Sequence, residues 1–328
     1  MRSVLKSSSG GQVEIKTANL PSYVLITPAR NEAEFIECTL QSMVSQTHKP
    51  ARWIIVSDGS TDGTDEIVEK YAAQHNWIEL VRMPERTERN FAGKVHAFNA
   101  GYAKAIELDP PIVGNLDGDI SIEPDHFEYL ISKFHDDAKL GLWGAPFREG
   151  KTQYDYNFSN IENVWGGCQL FRRACFEEIG GYLPLKGGCI DHIAVVTARM
   201  KGWKTRTYPE RVCIHHRVMG TAERGVLRAR FRTGAKDFIV GNHPLWEVAR
   251  SCYQMTKSPR VIGGLALAAG YAVSWLKRTP RPVSEELVQF TRREQILRLR
   301  NFLGRKMRTS DTSVQRQRSA SKTSEAQS

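Results

Sequence analysis

Two aspartates flank a single glycine in the stretch NLDGDI, Asn115 to Ile120, directly after a run of small and apolar residues. Asp and Gly suit any tight turn, so this triplet alone does not separate a turn from a site. Carboxylates one residue apart at the end of a strand can do more. One can ligate a divalent cation while the other takes a ribose or a second ligand position, and the cation then bridges phosphate oxygens. Two other polar clusters invite the same reading: PARNEAEF, with Asn31 and Glu32, and SDGSTDGT, with Asp58. In the latter, Thr64 before Asp65 and Glu66 reads as a helix cap followed by first-turn acids.

The elements that must position these acids follow from periodicity. YVLIT (Tyr23 to Thr27), WIIVS (Trp53 to Ser57), IELVR (Ile78 to Arg82) and the run Ile112 to Leu116 are short apolar strands. Between them lie segments of helical period, carrying Ile36, Leu40, Met43 and Val44, then Ile67, Val68, Tyr71 and Ala72, then Val95, Phe98, Tyr102 and Ile106. This alternation implies right-handed crossovers and an α/β fold with a mostly parallel sheet flanked by helices. Ligands of such sheets bind beyond the carboxyl ends of the strands, and all three polar clusters fall there. A helix with Phe127, Leu130, Ile131 and Phe134, a strand over 140–147, QLFRR, and a helix with Ile193, Val196, Thr197 and Met200 continue the pattern. It ends on YPERVCIHH. Strand alternation allows only one of His215 and His216 to face a site, and the sequence leaves open which.

Residues 1–20 read as a flexible polar arm, 21–216 as the α/β domain, 217–308 as a helical basic appendage and 309–328 as a disordered tail. The chain has 328 residues, of which 41% are hydrophobic and 25% charged, and a formal net charge of +10. That charge favours anionic partners. The absence of RRM, zinc-finger and helix-turn-helix signatures argues against nucleic acid, and the lack of GxGxxG and GxxxxGK[ST] argues against a Rossmann dinucleotide turn or a Walker ATPase. Six cysteines without CxxC spacing read as reduced packing residues, and no signal-peptide pattern opens the chain. A cytoplasmic protein is expected. The uncharged run Val261 to Leu276 would reach about 24 Å as a helix, short of a ~30 Å hydrocarbon core. Bounded by Lys257, Arg260, Lys277 and Arg278, it suggests shallow insertion at the inner face of the cell membrane, with electrostatic adhesion by the basic residues after it. A helix packed in the core through Gly263, Gly264 and Gly270 is the alternative. The apolar residues from Leu287 to Leu303 look too dispersed for one clean helical face.

The ordered set PARNEAEF, VSDGSTDGT, NFAGKVHAFNAGY, LDGD and GGCIDHIAVVTARMKGW resembles the inverting family-2 glycosyltransferases of the Rossmann-like GT-A fold, over roughly Pro21 to His216. The resemblance implies a nucleotide-diphosphate sugar donor, foremost a UDP-sugar, a Mg or Mn ion, and inversion at the anomeric carbon. By position it implies that Asn31, Glu32 and Asp58 line the nucleoside, that Lys94 approaches the nucleotide, that Asp117 faces the ribose and Asp119 the metal. His215 and His216 stand where such enzymes place a metal-binding or loop-closing histidine. Asp191, eleven residues before Gly202, would be the general base. The resemblance also places Cys168 and Gln169 along the sugar or acceptor path, and Arg217, Arg224 and Arg232 near the diphosphate. Ile190 stands where the family commonly has Glu, and the Gln-x-x-Arg-Trp signature of processive relatives is absent. One sugar per encounter, passed to an envelope polysaccharide or lipid-linked acceptor, is therefore expected. A sugar-phosphate nucleotidyltransferase would want a glycine-rich loop after the first strand, which PARNEAEF lacks. A non-catalytic basic binding or scaffold protein is the remaining alternative.

Overall fold

A strand covered on both faces by helices carries an apolar residue at nearly every position, and YVLI at the start of the first strand is fully buried. The structure, a computed structural model, describes residues 20–85, 91–150, 152–153, 160–217 and 225–302. The expected arm, apart from Leu20, and the expected tail lie outside these residues. In chain order the elements are β1 (Tyr23–Ala29), α1 (Ile36–Val44), β2 (Arg52–Asp58), α2 (Thr64–Ala72), β3 (Ile78–Met83), α3 (Phe91–Ala105), β4 (Ile112–Leu116), β5 (Ile120–Ser121), α4 (His126–Asp136), β6 (Leu140–Gly144) and β7 (Phe147–Glu149). They continue with β8 (Thr152–Gln153), β9 (Cys168–Arg172), α5 (Arg173–Glu178), α6 (Ile190–Met200), β10 (Lys204–Thr207), β11 (Cys213–His215), α7 (Val226–Ile239), α8 (Pro244–Met255), α9 (Ile262–Leu276) and α10 (285–302).

The chain divides into two compact units, the first comprising Met1–Arg86, Ala97–Glu177 and Lys204–His216. Its seven-stranded sheet runs β10-β6-β9-β4-β1-β2-β3 and is parallel except for β9, which is antiparallel to both neighbours. This is the expected Rossmann-like GT-A architecture. A four-stranded sheet, β5-β11-β7-β8, accompanies it. The single strand expected over 140–147 divides at Pro146, which cannot donate to a ladder. Leu140–Gly144 therefore stays in the large sheet and Phe147–Glu149 joins the small one. The expected Thr64 cap also shifts by a residue. Gly63, at φ 93°, is the cap and Thr64 lies inside α2, because Asp62 Oδ1 accepts both the Thr64 N–H at 3.1 Å and its hydroxyl at 2.6 Å.

The second unit comprises Thr87–His96, Glu178–Trp203 and Arg217–Ser328. Ile193 and Val196 of α6 pack with Val240, Val283, Leu287 and Val288. Arg199 clamps Glu294 of α10 in a bidentate pair at 2.8 and 2.9 Å. The dispersed apolar residues after Leu287 prove to have a coherent face once polar residues are counted. Leu287, Val288, Thr291 and Gln295 are all buried. Gln295 donates to Asn242 Oδ1 at 2.7 Å and accepts the His243 N–H at 2.7 Å, so a hydropathy reading misses it. Helices α7 and α9 meet backbone to backbone. A Cβ at Gly234 would lie 1.9 Å from Leu267 O, and one at Gly270 1.9 Å from Phe231 O. Inside the unit, Arg250 Nη1 bonds both oxygens of Asp237 at 2.5 Å. Glu247, 3% exposed, has its carboxyl pushed up to about 8 by desolvation and then by the charge of Asp237. Among the described residues, no helix is long and apolar enough to cross a membrane.

Candidate nucleotide and cation site

The carboxyl ends of β1, β2 and β4 carry the acids, and hydrogen bonds between their loops fix the arrangement. Asn31 adopts φ 54° at the end of β1, a left-handed conformation that Asn tolerates better than most residues. Its N–H reaches Ser60 Oγ at 3.1 Å, while its Oδ1 accepts the Thr61 N–H at 2.9 Å. The Glu32 N–H donates to Thr64 Oγ1 at 2.8 Å, and the Ala33 N–H to Asp62 Oδ2 at 3.0 Å. Desolvation works against Asp62, but these bonds from Thr64 and Ala33 prevail and hold its carboxyl below its ordinary value. The two loops are thus knitted together. Asp58, 4% exposed at the end of β2, faces Arg30 Nη1 at 3.8 Å.

The LDGD turn is gripped from both sides. Thr39 of α1, fully buried, donates to Gly118 O at 2.8 Å and accepts the Ile120 N–H at 3.0 Å. Gly118 packs close to α1, and a Cβ there would meet the Ile36 Cδ1 methyl at 2.9 Å. Asn115 Nδ2 donates to Asp117 Oδ1 at 3.0 Å and to Gly166 O at 2.8 Å, which orients the first carboxylate. The Asp117 N–H bonds Gly167 O at 2.8 Å.

Asp119, 7% exposed, has Oδ2 3.3 Å from His215 Nε2, and His215 Nδ1 lies 3.5 Å from Glu149 Oε2. Burial lowers the affinity of His215 for a proton, but Asp119, then Glu149 and Asp117, outweigh it and raise its pKa. The edges of Trp165 and Phe147 contact the His215 ring, with centroids 5.5 and 6.2 Å away. Gly167 leaves room for the indole: a Cβ there would fall 2.3 Å from Trp165. His216 goes elsewhere. Its N–H donates to Asp119 O at 2.9 Å, but its ring lies against Phe35 and its Nε2 is 2.9 Å from Ser121 Oγ.

Asp119 and His215 offer two donors to a hard cation. Adjacent donors on an octahedral ion with bonds of about 2.1 Å lie about 3 Å apart, close to the spacing between Asp119 and His215. Among the described residues, three donors of the His, Cys, Asp and Glu types come within 4.8 Å of one another only at His126, Cys168 and Cys213. All three are fully buried, with His126 Nε2 3.9 and 3.8 Å from the two sulfurs. Two thiols and an imidazole are a soft set, unsuited to Mg or Mn, and one ligand short of a structural zinc site. Cys168 accordingly packs behind the strand ends. It and Gln169, which donates to Val164 O at 3.2 Å, are fully buried and line no surface path.

Lys94 and Asp191 belong to the second unit. Lys94 stands in the first turn of α3 and Asp191 in the first turn of α6, behind Cys189 at φ 65°. Ile190, just before it, is buried at 5% exposure. Arg217 and Arg232 are also in this unit, while Arg224 lies outside the described residues. The sequence reading missed Thr39, Glu149 and Trp165. Trp165 could have been found beside the paired glycines of WGGCQLFRR, but Thr39 and Glu149 reach the turn from other elements and leave no local signal.

A family model described as "Glycosyl transferase family 2" matches residues 24–194. Over 159 residues the chain is 28% identical to a poly-beta-1,6-N-acetyl-D-glucosamine synthase of Staphylococcus aureus (strain COL), an alignment covering 48% of this chain and 36% of that one. The chain thus spans about a third of that relative's length. Among solved structures, the mannosyltransferase PcManGT from Pyrobaculum calidifontis, in complex with GDP-Man and Mn2+, is similar with a TM-score of 0.54 and 20% identity, covering 86% of this chain and 82% of that one. TarS of S. aureus is similar with a TM-score of 0.50 and 16% identity, covering 76% and 43%. These two similarities establish the fold.

Proposed function

Because the chain belongs to glycosyl transferase family 2, we propose that it transfers a single sugar, with inversion, from a nucleotide-diphosphate sugar to an envelope polysaccharide or lipid-linked acceptor. The carrying observation is Asp119: buried in the LDGD turn, two residues after an oriented Asp117, and 3.3 Å from His215. In this reading Asp119 and His215 hold a Mg or Mn ion, and His216 braces the β5–β11 pair through Ser121. The ion, when bound, neutralises charge on the diphosphate leaving group. Asp117 takes the ribose, Asn31, Glu32 and Asp58 line the nucleoside, and Lys94 approaches the nucleotide. An acceptor hydroxyl attacks the anomeric carbon, the bond to the diphosphate breaks, and Asp191 takes the hydroxyl proton. Asp191 stands in the first turn of α6, and its distance of eleven residues from Gly202 is the spacing that supports this role. The similarity to a poly-beta-1,6-N-acetyl-D-glucosamine synthase supports an acceptor that is itself a saccharide.

A panel of UDP- and GDP-sugars, assayed by thermal shift and nucleoside-diphosphate release with and without Mn, tests this reading. The expected result is a metal-dependent shift and turnover with one nucleotide. Neither response with any donor would overturn it, and pyrophosphate release from a nucleoside triphosphate and a sugar phosphate would favour the nucleotidyltransferase.

A further inference from the structure

Helix α9 has two different faces. Gly263, Gly264, Leu267, Gly270, Tyr271 and Ser274 are buried, and Gly264 lies so close to α8 that a Cβ would sit 2.4 Å from Ser251 O. Tyr271 donates to Asn242 O at 2.7 Å, just before α8 begins. The start of α9 therefore lies by the end of α8 and its later turns by the beginning of α8, so the two helices run antiparallel. This half of the apolar run is core.

The other half is bare and entirely apolar. Ile262, Leu265, Ala269, Ala272 and Leu276 follow one another at helical spacing and all are exposed, with Trp275 beside them at 63%. On α8, Leu245 and Val248 are each 60% exposed, one turn apart and far outside the apolar run that the sequence drew attention to. Six large apolar side chains are exposed on two helices that pack together, more than the singly scattered apolar residues of a soluble monomer would need.

Charge decides the occupant. Between Pro244 and Arg281 the sole carboxylate is Glu247, which is buried. Exposed Lys257 and Arg260 precede α9, and exposed Lys277 and Arg278 follow it. An apolar face with a Trp, framed at both ends by cations and lacking exposed acids, has the chemistry of a helix lying in a bilayer interface. A protein partner would commonly present both signs of charge. We infer that the outer faces of α8 and α9 together form a shallow docking surface for an anionic lipid leaflet, with the inner half of α9 remaining in the fold.

Vesicle sedimentation of the full chain tests this without any sugar transfer. Phosphatidylglycerol-containing vesicles should retain the protein at low salt, and pure phosphatidylcholine should retain it weakly. Leu265→Glu and Leu276→Glu lie on exposed positions and should abolish retention with an unchanged circular dichroism spectrum. Lys277→Gln with Arg278→Gln should weaken retention roughly 25-fold, about fivefold per cation. Brominated lipid should quench the wild type more than Trp275→Phe. Equal retention on both vesicle types, or full retention of the two Glu variants, would overturn the inference. A dimer in solution that the Glu variants dissolve would also overturn it, assigning the face to a second copy of the chain.

Discussion

Two buried acidic clusters in this chain differ in what their carboxylates face. In the first unit, Asp119 meets an imidazole that it shares with Glu149. In the second, Asp237 is just as buried, at 7% exposure, but is gripped by the guanidinium of Arg250 with both oxygens engaged. Glu247 beside it is driven toward its neutral form. Burial alone therefore does not mark a site. The second cluster balances its charge with a permanent cation and through protonation, as a structural knot must. The first sets two carboxylates on opposite nitrogens of one histidine, and in the proposed function Asp119 and His215 hold a cation there.

The strongest break in that comparison is Asp119→Asn. Loss of its charge should reduce turnover by on the order of 10³-fold or more, several kcal/mol of transition-state stabilisation, while the melting temperature stays near that of the parent. EDTA should have the same effect, with Mn restoring activity to the parent alone. Full activity in EDTA would remove the cation from the first cluster.

Asp191 sharpens the contrast, since it belongs to the second unit and yet is assigned chemistry. Asp191→Asn should slow transfer roughly 10²- to 10⁴-fold with donor affinity nearly unchanged. Lost donor binding with retained transfer at saturation would make Asp191 a ligand or a helix-terminal acid.

Arg250→Met should show the opposite signature. Leaving Asp237 buried without its partner should cost about 3–5 kcal/mol of stability by denaturant unfolding, and Arg250→Met with Asp237→Asn should recover most of it. If the single variant is as stable as the parent, the knot is not structural.

Glu247 provides a pH signature. Its folded-state pKa of about 8 exceeds its ordinary 4.5, so between those values the folded chain holds the extra proton. The stabilisation is complete below about pH 4 and declines as pH rises toward 8. Thermal unfolding should therefore show the parent losing stability from pH 5 to 8 relative to Glu247→Gln. Parallel curves would show that Glu247 is ionised in the fold.

Much of this was legible in the sequence because its causes are local. The α/β alternation holds from β1 to α4, since period and burial are written in neighbouring residues. LDGD, PARNEAEF and SDGSTDGT fall at strand ends for the same reason. What the tertiary structure decided depends on distant partners. Alternation along β11 could not choose between two histidines, and the choice came from Ile120 pairing with His215, which sets its ring by Asp119. Gly118 needs Thr39 and Ile36 of α1 to explain it, and Glu149 reaches His215 from another strand of the small sheet. Residues of α6 joined the C-terminal helices through an ion pair 95 positions away, Arg199 with Glu294. A 16-residue apolar run likewise has one composition but two environments. Composition fixed that Val261 to Leu276 would avoid water, but only packing could divide it, because close approach of α7 and α8 at its glycines buries one face and leaves the other bare.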